Sequence, residues 1–179
     1  ERRREFDELI GHIGDLTRDL TRELSSPELY QVGRGAALEA AVESMAEHMC
    51  GHGPILSFGN DHRPKPVGED AGIVLLGAAR ELMLNALKHA SAERIEISVS
   101  RVDDEIRIHV DDDGAGFDPA RLDEDGGAGR SYGLMAVRER LGYLGGRLEL
   151  CSTPGEGTSA TLVAPLQGVG TGEDTPPET

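Results

Sequence analysis

Residues suited to chemistry fall at four places in the chain. In the segment 81–90 (ELMLNALKHA), Glu81, Asn85 and Lys88 share one face at a helical advance of about 100° per residue. Leu76, Ala79, Met83, Ala86 and Ala90 share the opposite face. Such a polar stripe is most often a solvated surface, but asparagine is a poor helix former. With a carboxylate one turn before it and a cation one turn after, Asn85 suits a metal-bound polyphosphate. Its amide oxygen can ligate Mg²⁺, and the lysine can meet phosphate.

The second place is Asp112. Ile106, Ile108 and Val110 point to one face of a strand because side chains alternate with a period of two. That count turns Asp112 inward as well, and a carboxylate on an apolar face is costly unless something hydrogen-bonds it. Gly114-Ala115-Gly116 follows, where backbone can approach a ligand closely. Asp112 therefore reads as a specific acceptor at a pocket floor, suited to a purine amino group, or else as a strand-end cap. The third place is the glycine-rich stretch 123–133 (DEDGGAGRSYG), which reads as a mobile lid or a plain linker. It feeds a helix whose first N–H groups are a natural phosphate seat. The fourth is Gly155-Glu156-Gly157-Thr158, a hairpin turn opening the last strand. Thr158 shares a face with Ala160 and Leu162, and from an inner face its hydroxyl reaches the same pocket.

The elements that must position these groups follow from periodicity. Residues 1–24 carry a narrow apolar seam, Phe6, Leu9, Ile13, Leu16, Leu20 and Leu24, of the kind that packs against other helices. Ser25-Ser26-Pro27 breaks it. Helices are expected over 35–49, 69–89 and 131–144. Strands are expected over 55–58, 94–100, 105–112, 147–152 and 158–164. The order α, β, α, β, β, α, β, β, with short turns between neighbouring strands, favours an antiparallel or mixed sheet with helices on one face. The division expected is one helix over 1–27, a globular body over 28–166 and a disordered tail over 167–179.

Composition bounds the possibilities. The chain has 179 residues, and 33 acids against 18 bases give a net charge of −15. Bulk electrostatic binding of nucleic acid is therefore excluded, since it needs a basic surface. Aromatics are 3% of the chain and tryptophan is absent, so the core must be aliphatic. No apolar run approaches the roughly 18 residues of a membrane span. No signal peptide is evident, and a start at Glu1 reads as an excised fragment. Cys50 and Cys151 form no disulfide framework or metal spacing and read as unpaired thiols in a reducing compartment.

Taken in order and spacing, ELMLNALKHA (81–90), DDDGAGF (111–117), GRSYGL (129–134) and GEGT (155–158) resemble the N, G1, G2 and GT boxes of the gyrase and histidine-kinase ATPase superfamily. Within it the chain resembles the sensor histidine kinases that pair with helix-turn-helix response regulators. ELSSPELYQVGRGAAL (23–38) resembles that class's join between dimerisation helix and ATPase domain. The resemblance covers residues 5–165. It implies an α+β, two-layer α/β sandwich with a mixed, mostly antiparallel sheet and helices on one face, preceded by one dimerisation-type helix.

The resemblance also implies roles. Asn85 would ligate Mg²⁺, Lys88 and His89 would contact phosphates, and Glu81 matches the acid that acts as a base on water in the superfamily's hydrolases. Asp112 would accept the adenine amino group, with Gly114 and Gly116 lining the base pocket. Gly129, Gly133 and Leu134 would belong to the lid and its helix, and Thr158 would complete the adenine contacts. The implied reaction is transfer of the γ-phosphoryl of Mg·ATP to a histidine outside this chain. That histidine would sit on a dimerisation helix of the same parent, a homodimer signalling to a response regulator. The expected compartment is the cytoplasm, for a parent that is soluble or anchored in the inner membrane. A histidine followed by an acid, the family's phosphoacceptor pair, is missing; His12 is followed by Ile13. Asp113 stands where asparagine is frequent, and Arg130-Ser131-Tyr132 replaces a denser glycine run. The alternatives are an anti-sigma-factor-type serine kinase and a non-catalytic nucleotide-binding module of the same fold.

Overall fold

The computed structural model describes residues 37–51, 53–122 and 130–167. The expected dimerisation helix, Gly129 with most of the glycine-rich stretch, and all but the first residue of the expected tail lie outside the described residues.

The elements run α1 (Ala37–Cys50), β1 (Ile55–Asn60), α2 (Glu69–Asn85), β2 (Arg94–Val102), β3 (Glu105–Asp112), α3 (Arg130–Tyr143), β4 (Arg147–Thr153) and β5 (Gly157–Pro165). A single π-helical turn, Ala86–Ala90, continues α2, and a 3₁₀ turn spans Pro119–Leu122. The five strands form one sheet in the order β1-β2-β3-β5-β4. β1 and β2 are parallel, joined by the α2 crossover, and the other three pairs are antiparallel.

Alternation sorts the sheet into two faces. Ile97 and Val99 of β2 stand in register with Val110 and Ile108 of β3, which pair in turn with Ala160 and Leu162 of β5; these and Ile95 are all buried. The helices cover this face: Leu75, Leu76, Leu82 and Met83 of α2, Leu38 and Val42 of α1, and Val137 and Leu141 of α3 are all buried. The core is aliphatic, as the composition requires. The other face is polar. There Arg147 bonds Glu105 at 2.6 Å and Glu149 at 2.9 Å, and Arg107 bonds Glu105 at 3.1 Å. The two arginines flank Val163 in register, and Val163 is buried although it faces outward, in keeping with arginine stems covering apolar surface.

One buried cation ties the parallel end together. Lys65, 4% exposed, donates to Glu39 of α1 at 2.6 Å, to Asn60 of β1 at 3.2 Å, to the Arg63 carbonyl at 2.9 Å and to Asp61. Burial would raise the Asp61 carboxyl, but the Arg101 and Arg63 backbone N–H groups and the Lys65 ammonium hold it down to about 2.

The helix expected over 69–89 is corrected at its end. The α-helical ladder stops at Asn85, and the next five residues widen into the π turn. Ser91, at φ 50°, ends the turn in the left-handed region. The wider turn sets Ala90 against the loop after β3, where its carbonyl accepts the Ala115 N–H at 2.8 Å.

Candidate functional site

Asp112 ends β3 on the inner face and is 7% exposed. The Gly114 N–H donates to its Oδ1 at 2.9 Å, which folds the chain sharply back. Burial pushes this carboxyl above the usual range; the Gly114 and Thr158 backbone N–H groups oppose that, and the neighbouring charges of Asp111 and Asp113 add to it. Asp112 pairs in register with Thr158, and Thr158 pairs with Ser152. Three polar side chains thus stand side by side at one end of an otherwise apolar face.

The loop that follows is held by backbone contact on two sides. A Cβ on Gly114 would lie 2.4 Å from the Ala90 Cβ, and one on Gly116 would lie 2.0 Å from the Thr153 carbonyl oxygen. Gly116 also sits at φ +57°, where side chains are strained. From the turn between β4 and β5, Gly155 N–H donates to the Ala115 carbonyl at 2.7 Å. Gly157, at φ +86°, packs so closely on the Asp112 carbonyl that a Cβ would lie 1.9 Å from its oxygen. The two glycine motifs, distant in sequence, are glycine because their backbones touch. Asp113 turns outward, where its Oδ1 accepts the Glu93 and Arg94 N–H groups at 2.9 and 2.8 Å. Those bonds, the Arg94 N–H foremost, hold its carboxyl below the usual range. An aspartate serves there as an asparagine would, since only the shared carbonyl-type oxygen is used.

Across from Asp112, Asn85 closes α2. The nitrogen of its carboxamide is buried without a hydrogen-bond partner, and in a native structure such a group asks for an explanation. Asn85 and Asp112 line one cleft of about 420 Å³, counting its open mouth. Leu82, Val110, Leu134, Leu150 and Ala160 supply its apolar walls, with Gly116, Phe117 and Thr158 near Asp112. Apolar walls with a carboxylate at the floor suit a heterocycle with apolar faces and a donor on its edge. The orphaned amide N–H₂, a donor, and the floor carboxylate, an acceptor, are what the phosphate oxygens and the base of a nucleotide would satisfy, and they leave the Asn85 amide oxygen available to a metal.

The remaining expected residues take other positions. Glu81 is half-buried and lies against Gly133, where a Cβ would sit 2.0 Å from Glu81 Oε1. Leu134, on the next residue of α3, is a wall of the cleft. Gly114 stands behind Asp112 without lining the cleft. Lys88 and His89 are exposed on the π turn and do not line it either. The uniform advance that places Lys88 one turn beyond Asn85 fails because the π turn holds an extra residue. Ser152 and Phe117 join the site although their types alone do not mark them. Counting the β4–β5 hairpin outward from its turn pairs Ser152 with Thr158, and that is the signal that finds Ser152. Among the described residues no cluster of three His, Cys, Asp or Glu could hold a metal. No described helix is long and apolar enough to cross a membrane. Cys50 is buried and Cys151 exposed, and both are free thiols.

Comparison with known proteins converges on this segment. The profile of the histidine kinase-, DNA gyrase B- and HSP90-like ATPases matches residues 73–168, from α2 to just past β5. A sensor-like histidine kinase of Chloroflexus aurantiacus is 34% identical over 118 residues, covering 65% of this chain and 20% of that protein. The sensor histidine kinase ComP of Bacillus subtilis is 27% identical over 88% of this chain and 20% of its own length. The histidine-protein kinase/phosphatase DegS of Brevibacillus brevis is 25% identical over 90% of this chain and 42% of its own. This chain therefore spans less than half the length of each. A blue-light-activated histidine kinase of Erythrobacter litoralis has the same fold, with a TM-score of 0.65, 24% identity and coverage of 87% of this chain and 51% of that one. Its histidine kinase domain alone aligns at a TM-score of 0.58, with 24% identity, over 74% of this chain and 64% of that one. Because the matched profile takes in more than half of the 179 residues and every element that builds the cleft, the chain belongs to the family of histidine kinase-, DNA gyrase B- and HSP90-like ATPases.

Proposed function

We propose that this chain is the ATP-binding catalytic part of a sensor histidine kinase, which binds Mg·ATP in the cleft and presents the γ-phosphoryl group to a histidine elsewhere in its parent. The observation that carries this reading is the meeting of a buried acceptor, Asp112, and a helix-borne amide with an unpartnered nitrogen, Asn85, in one apolar-walled cleft. Asp112 would accept a hydrogen bond from the amino group of the adenine ring, for which Leu134, Leu150 and Ala160 supply apolar walls. Thr158 completes the contacts at that end.

The amide oxygen of Asn85 would hold the magnesium ion, whose chemistry here is charge neutralisation on the phosphates. Glu81, one helical turn before Asn85 and against Gly133, stands beside the start of α3, at the phosphate end. Lys88 and His89, exposed on the π turn that follows Asn85, would contact phosphate without lining the cleft. The chain itself contributes position and charge placement, the main source of rate in phosphoryl transfer. The parent would be a cytoplasmic or membrane-anchored dimer that passes the phosphoryl group to a response regulator, as the relatives named sensor histidine kinases suggest.

The test is Asn85→Ala in the parent kinase, followed by transfer of label from γ-labelled Mg·ATP to the histidine. Loss of labelling with the fold retained is expected. Undiminished labelling contradicts the reading.

A further inference from the structure

Ser152 Oγ has three neighbours, and their chemistry fixes the direction of each hydrogen bond. The Phe117 backbone N–H, at 2.9 Å, can only donate to it. The Gly157 carbonyl, at 2.9 Å, can only accept from it. The third is Thr158 Oγ1 at 3.1 Å. A hydroxyl carries one proton and two lone pairs. The Ser152 proton is committed to Gly157, so the contact with Thr158 forms only if Thr158 donates. That leaves Ser152 saturated and leaves Thr158 with its lone pairs alone for anything in the cleft.

We propose that Ser152 is a positioning residue that draws the Thr158 proton into itself, so that Thr158 meets a ligand only as an acceptor. The inference rests on the nucleotide reading above. Thr158 stands in register with Asp112, and both line the cleft. With Asp112 ionised, the base end then offers acceptors only. An amino-bearing purine edge satisfies two acceptors with its two N–H bonds. A 6-oxo edge keeps a single donor, its N1–H, and sets its oxygen against the second acceptor. Ser152 thereby contributes to base selectivity without touching the base, while also joining the loop after β3 to the β4–β5 turn.

The test is titration of the chain with the magnesium complexes of ATP and inosine triphosphate, at a pH well above the carboxylate range. The wild type should prefer ATP. Ser152→Ala frees the Thr158 proton to turn toward the ligand, so the ATP-to-ITP affinity ratio should fall by about 5- to 10-fold, the worth of one hydrogen bond. Ser152→Thr, which keeps the hydroxyl, should restore the ratio. A merely structural serine would weaken both nucleotides alike, and a ratio unmoved by Ser152→Ala overturns this assignment alone. Should that variant fail to fold, Thr158→Val carries the test: it removes the acceptor, and an unchanged ratio there also overturns the assignment. In the double variant, adding Ser152→Ala to Thr158→Val should leave the ratio where Thr158→Val put it, and a further additive fall overturns the coupling. A wild type that binds neither nucleotide overturns both this assignment and the function proposed above.

Discussion

Asp112 is held in a conflict between stability and use. Burial raises its pKa, so the folded state binds the proton more tightly than the unfolded chain does. A raised carboxyl favours folding below the unfolded pKa, and that advantage is lost as pH rises through the folded value. At neutral pH the ionised carboxylate therefore costs stability. Asp112→Asn keeps an oxygen for the Gly114 N–H and removes the buried charge, so the ligand-free variant should melt no lower than wild type, and higher at neutral pH than at acid pH relative to it. Its affinity for ATP should drop about 10- to 100-fold, the worth of a charge-assisted hydrogen bond. Calorimetry with and without nucleotide checks both. For the wild type, nucleotide affinity should decline as pH falls toward the raised pKa, above the range of an ordinary aspartate. Asp112 was legible in the sequence because strand alternation is rigid: three inward apolar residues fix where the fourth must point. Ser152 is not legible in this way, because a serine beside a turn is ordinary until the hairpin register pairs it with Thr158.

At the scale of elements, the two glycine contacts should respond differently to the same substitution. Gly116→Ala places a Cβ 2.0 Å from a backbone carbonyl at a left-handed φ, so the loop itself must move and both stability and nucleotide binding should fall. Gly133→Ala meets only the end of the Glu81 side chain, also at 2.0 Å. Glu81 can swing aside, so melting should change little while phosphoryl transfer by the parent falls. Thermal melts beside transfer assays separate the two cases. The Lys65 cluster gives a third expectation. Lys65→Met strands Glu39 and Asp61 beside each other. Losing one partner of a buried pair costs about 3–5 kcal/mol, and here about 2–3 kcal/mol because both acids keep contact with water. In the wild type, the stability from Asp61 is present above the unfolded carboxylate pKa and is lost as pH falls toward about 2; urea melts across that acid window read it, and Asp61→Asn should flatten it. Periodicity locates every described α-helix and strand to within a few residues. It does not reveal the π turn, since ALKHA is unremarkable in type, nor the insertion of β5 between β3 and β4, since alternation within a strand says nothing about its neighbours.

For the whole molecule, charge is the dominant fact. A net −15 opposes the approach of a polyanion, and residues 103–125 hold ten acids against Arg107 and Arg121. The aliphatic, one-sided core explains how so acidic a chain folds: among the described residues only Lys65 and Asp112 are buried charges. Binding ATP then requires compensation by a cation, and MgATP should bind at least about tenfold more tightly than metal-free ATP. Added salt should narrow that gap by screening. Equal affinities in chelator and in magnesium would remove the need for Asn85 as a ligand.

The most direct test of the two-ended grip is a paired NMR titration of adenosine and of Mg·ATP into the wild type, Asp112→Asn and Asn85→Ala. The expected result is that Asp112→Asn weakens both ligands, whereas Asn85→Ala weakens Mg·ATP and leaves adenosine unchanged. Adenosine binding to Asp112→Asn at wild-type strength, or an equal loss of both ligands in Asn85→Ala, would contradict it.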